Sequence, residues 1–133
     1  MPYSFDFDLT NGILRCRLTG QVTDGVLRDF FRFGSELAIR TQPSAGVVDL
    51  SEVTSFEASA EVIRELARAA PVLLDPELRR VVIAPTPQVF GMMRMFAMQT
   101  EGTRPNIHVV RTEQEAWAIL AVPNPQFRPL EIT

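Results

Sequence analysis

The sequence predicts an α/β domain: a mixed, mostly parallel sheet of about five strands, opened by an N-terminal antiparallel hairpin and covered by four helices. Two observations carry this expectation. Apolar and polar residues alternate on both sides of Asn11-Gly12, a preferred pair for a two-residue hairpin turn. Three short, almost wholly apolar runs then follow, GVVDL from Gly46, VVIA from Val81 and NIHVV from Asn106, and the segments between them carry apolar residues at helical spacing. Buried strands alternating with helices make a parallel sheet with helices on its faces.

With Asn11 and Gly12 as the loop, Thr10 pairs with Ile13, Leu9 with Leu14, Phe7 with Cys16 and Phe5 with Leu18. One face of the hairpin then gathers Phe5, Phe7, Leu9, Leu14, Cys16 and Leu18. The other carries Asp6, Asp8, Arg15 and Arg17 and is expected in solvent, near a sheet edge. Thr23 is the expected cap of a first helix that has Asp24 in its first turn and ends at TQPSAG. GVVDL reads as a central strand, with Ser51 and Ser55 closing the turn after it. The second helix should begin within Thr54 to Ser59, Thr54 and Glu57 forming a capping box, and reach about Ala70 before Pro71. Thr86-Pro87 is a cap and first-turn pair for the third helix, and Thr112 with Glu115 opens a fourth that runs through Leu120. His108 falls in the last apolar run and reads as a core residue. Residues 1–122 are expected to form the domain, and 123–133 a Pro-rich extension along its surface, fastened by Phe127 and Leu130.

Composition excludes several chemistries. The chain has 133 residues, a net charge of −3 and no lysine, its thirteen basic residues all being arginine. Nothing in that balance attracts nucleic acid in general, and a Schiff-base or phosphate-loop lysine is ruled out. The all-arginine usage points to a GC-rich bacterial genome. Cys16 is the single cysteine and there is no Cys/His cluster, so neither a disulfide nor a metal site is expected. Hydrophobic residues at 46% suit a packed core, yet no apolar run approaches the ~18 residues that span a bilayer. The opening MPYSFDFDLTNG lacks the basic start of a secretion signal, so a cytoplasmic location is expected. Nucleophile motifs, Gly-rich phosphate loops and paired strand-end acids are absent, which argues against an enzyme and against any cofactor.

Over roughly Phe5 to Val122 the order of elements, with GVVDL leading through SEVTSF to EAS, resembles the STAS-like fold of the bacterial anti-sigma-factor antagonists. It looks most like a branch of small bacterial STAS-like proteins. The resemblance implies a non-catalytic regulatory or scaffold module that works by protein contact, a kinase-type regulator as partner, and Ser59 as the phosphorylated residue with Glu57 in the acidic position before it. Exposed in a first helical turn, Ser59 would sit where backbone N–H groups favour an anion.

The third helix, PQVFGMMRMFAMQT, holds four of the five methionines and is apolar around nearly its whole circumference. Such a helix has more than one face to cover. The expected interaction surface is Phe90, Met92, Met93, Arg94, Met95 and Met98, with Asp49 at the end of a central strand as a pairing acid. Its occupant is expected to be a protein partner or a second copy in a homodimer. The alternative is a small apolar, lipid-like ligand, which would make the protein a carrier or sensor.

Overall fold

A computed structural model describes residues 1–100, 102 and 106–132. The strands are β1 (Tyr3–Asp8), β2 (Ile13–Val22), β3 (Ala45–Phe56), β4 (Arg79–Ile83), β5 (Ile107–Val110) and β6 (Arg128–Pro129). The helices are α1 (Asp24–Thr41), α2 (Ala60–Arg68), α3 (Pro87–Gln99) and α4 (Glu113–Leu120). One six-stranded sheet has the order β5-β4-β3-β2-β1-β6; β2 to β5 run parallel, and β1 and β6 supply antiparallel pairings.

The sixth strand comes from the Pro-rich extension, where Phe7 pairs with Arg128, Asp6 with Pro129, and Leu130 N–H donates to Phe5 O at 2.8 Å. Phe127 packs beside Trp117, and the Arg15 guanidinium stacks on its ring at 3.9 Å.

Sheet alternation divides the apolar residues into two cores. Leu14, Cys16, Leu18 and Leu50 face α1, α2 and α3 in the larger core. Ile13, Val47, Val81 and Ile83 face α4 in the smaller one, where Ala116 is wholly buried. Helix starts follow the predicted caps, since Thr23, Thr86 and Thr112 accept from the N–H groups of Val26, Val89 and Glu115.

The hairpin departs from its expected register. Phe5 pairs with Cys16 and Phe7 with Leu14, leaving a four-residue loop, Leu9 to Gly12. The cause is Asp8, whose carboxylate accepts from Thr10 N–H at 3.1 Å, Asn11 N–H at 3.3 Å and Asn11 Nδ2 at 2.7 Å. Gly12 adopts φ +67°, and a Cβ there would lie 2.8 Å from Ser44 Oγ. Because the shift is two residues, every side chain keeps its face. Leu9 nevertheless leaves the core for solvent, and Asp8 becomes fully buried. The charged face is also less exposed than expected: Phe127 lies under the Arg15 guanidinium, and Arg15 pairs with Asp6 at 2.8 Å.

Strand β3 is longer than GVVDL. Beyond Asp49 it leaves β4 and continues against β2 alone, with register shifts between Arg17 and Thr19 and between Gly20 and Gln21. The expected turn at Ser51 and cap at Thr54 are therefore both strand. Glu57 N–H closes the ribbon on Val22 O at 2.8 Å, and α2 starts three residues later. His108 is exposed rather than in the core, because β5 is a four-residue edge strand.

Candidate functional site

Ser59, not Thr54, is the N-cap of α2. Its φ and ψ are −74° and 156°, outside the helical region, and its Oγ accepts from Val62 N–H at 3.2 Å. The same hydroxyl donates to Asp24 Oδ2 at 3.0 Å, and Ser59 N–H donates to Asp24 Oδ1 at 2.6 Å. Asp24 is the first residue of α1, so one carboxylate joins two helix starts, the positive ends of both dipoles. Ser59 is half-buried by this arrangement rather than exposed.

The neighbouring acids are held as well. Glu57 accepts from Gln21 Nε2 and from Ser55 Oγ at 2.8 Å; these bonds, that from Gln21 first, lower its pKa from the ordinary carboxylate value. One turn along α2, Glu65 receives Arg28 Nε at 3.0 Å and Nη2 at 3.1 Å. This hydrogen-bonded pair lowers the Glu65 pKa and raises that of Arg28. The α1–α2 junction thus has two carboxylate clasps, at Asp24 and at Glu65.

Beside Ser59 a surface groove of about 410 Å³ opens between α2 and α3. Ala58, Ala60, Ile63 and Arg64 form one wall, and Met92, Met93, Met95 and Phe96 the other. The structure therefore brings Ser59 and part of the methionine helix to one place. The helix buries only Val89 fully, while Met95 is 62% and Met98 71% exposed, so part of its apolar surface is left uncovered by the described residues.

Other residues of the expected surface lie elsewhere. Phe90 is half-buried at the far end of α3, with Arg111 stacked on its ring at 4.5 Å. Arg94 and Met98 are exposed and do not line the groove. Asp49 does not join this surface: it is 95% buried, shares the α4 face with Val47, receives Ser51 N–H at 2.9 Å and lies 3.5 Å from Arg17 Nε. Cys16 is buried, and burial, followed by the charge of Asp6, pushes its thiol up to about 12, which suits an inert core residue. Sequence reasoning missed Asp24, whose only signal was an acid in a first helical turn, a common dipole partner.

No protein-family model and no curated protein matches the chain in sequence. Solved structures do match its fold. SpoIIAA, the Bacillus cell fate determinant, in its phosphorylated form superposes with a TM-score of 0.58 at 19% identity, covering 89% of this chain and 98% of that one. The anti-sigma-factor antagonist SpoIIAA in its unphosphorylated form gives 0.60 at 13% identity, covering 92% and 99%. The fold is STAS-like, that of the SpoIIAA antagonists.

Proposed function

We propose that the protein is a non-catalytic regulatory module of the bacterial cytoplasm, that it binds a protein partner through the α2–α3 groove, and that phosphorylation of Ser59 by a kinase-type regulator switches the contact off. The observation that carries this reading is the place of Ser59: a half-buried hydroxyl at a helix N-terminus, between Ala58 and Ala60, which line an apolar groove. Support comes also from the fold, since one matching structure is of a phosphorylated form.

The mechanism follows from charge. A phosphoserine carries roughly −1.5 to −2. Esterified, the Ser59 oxygen loses the proton it donates to Asp24, and the new charge meets that carboxylate at hydrogen-bond distance, with Glu57 and Glu61 near in sequence. The Asp24 clasp opens, the two helix starts separate, and the groove rim turns from apolar to strongly anionic. A partner docking an apolar surface there is rejected by the cost of desolvating that charge.

The test is phosphate mapping by mass spectrometry after incubation with ATP and lysate of the source organism. Modification on Ser59 is expected, with a Ser59→Asp variant failing to retain the partner that the unmodified chain retains. Absence of phosphate from Ser59 under every growth condition would sink the switch.

A further inference from the structure

Behind the groove lie two partly open cavities over the larger core, one of about 80 Å³ and one of about 110 Å³. They are contiguous in their walls. Ile63, Met93 and Phe96 separate the groove from the smaller cavity, and Phe30, Val48 and Val82 line both cavities. The larger ends beneath the loop between α2 and β4, where Val72 sits over Gly34 and Leu73 against Gly46. A methyl group at Gly34 would sit in ordinary contact with Val72 and Phe5, at 3.6 Å and beyond, so there is room for one added carbon at this end.

We infer that this track, from the groove mouth to Gly34, is a binding site for an unbranched medium-chain amphiphile with an anionic head, a simple alkanoate being the minimal form. The walls select the tail. Apart from Arg80, whose guanidinium donates to the carbonyls of Leu73, Asp75 and Leu78, they are apolar along the track, so a peptide backbone, whose N–H and C=O groups need partners, is disfavoured in the interior, whereas an alkyl chain has no such need. Two of the three separating side chains, Met93 and Phe96, are half-buried and turn about side-chain bonds alone, and methionine adapts readily to a new neighbour. The mouth selects the head, because Arg64 and Gln99 lie on its rim and supply a cation and an amide for a carboxylate.

The track shares its mouth with the groove of the Ser59 switch but is tested on the unphosphorylated chain with no partner present, so either reading fails alone. Titration calorimetry with hexanoate, octanoate, decanoate and tetradecanoate should show affinity rising about fourfold per methylene and then levelling once the track is full. Val48→Phe, which places a ring between the two cavities, should bring that levelling to a shorter chain. Arg64→Glu, a surface change, should weaken decanoate about fivefold while leaving decanol unchanged. Absence of binding overturns the site. So does a rise that never levels, which is the mark of adsorption to the outer surface, or an equal loss of decanoate and decanol on Arg64→Glu.

Discussion

The two faces of the sheet solve the same covering problem differently. On one, the eight-residue α4 presents Ala116 to Val81 and Ile83; this small residue lets the helix come close, and its exposure is 0%. Charge is accommodated there too, in the Asp6–Arg15 pair, the Arg17–Asp49 contact and the loop-capping Asp8. On the other face three helices meet around Phe5, Phe30, Phe31 and Phe96, and rigid rings arriving from several elements leave two cavities. On the face built of polar pairing and small residues, Ala116, Val81 and Ile83 pack with almost no exposure. The face built of large apolar residues retains space, and the apolar groove opens beside it.

Adding carbon to each face tests this contrast. Ala116→Leu should destabilise by about 1–3 kcal/mol, read as a lower urea midpoint, because nothing around a fully buried site can yield without moving α4. A neutral result would mean that the α4 face holds space of its own. Gly34→Ala should act in the opposite sense and stabilise by about 0.5–1 kcal/mol, since helix propensity improves and the new methyl enters a cavity. A loss of stability there would mean that both faces are equally full.

The smallest effect concerns the clasps on the three-helix face. Glu65 has a lowered pKa through its hydrogen bonds from Arg28, so its contribution is present above the ordinary carboxylate pKa and is lost as pH falls through the lower folded value. Denaturation midpoints measured between neutral pH and about pH 3 should therefore fall slightly less steeply in Glu65→Gln than in the unaltered chain. Identical slopes would show that this exposed pair adds nothing to the α1–α2 junction.

What the sequence disclosed follows the range of each interaction. Thr23, Thr86 and Thr112 were legible as caps because a cap bonds an N–H three residues away, and the strand–helix order follows from periodicity alone. The start of α2 was not legible. Thr54 with Glu57 satisfies the local capping rule, but β3 gains pairing energy by staying extended against β2, and Asp24, 35 residues distant, fixes Ser59 as the cap. The hairpin slipped by two residues for a similar reason: Asp8 rewards a longer loop that Ser44 then packs against. For α3 the pattern carried no phase, being apolar almost all round, so sequence could not say which methionines line the groove and which face solvent.

The two-residue strand β6 has a consequence out of proportion to its length. By occupying the outer side of β1 it removes a row of free backbone donors and acceptors from the sheet margin. Removing Arg128 and Pro129 would return the outer side of β1 to solvent with the backbone groups they pair left open, which is the kind of margin on which strands of separate molecules add.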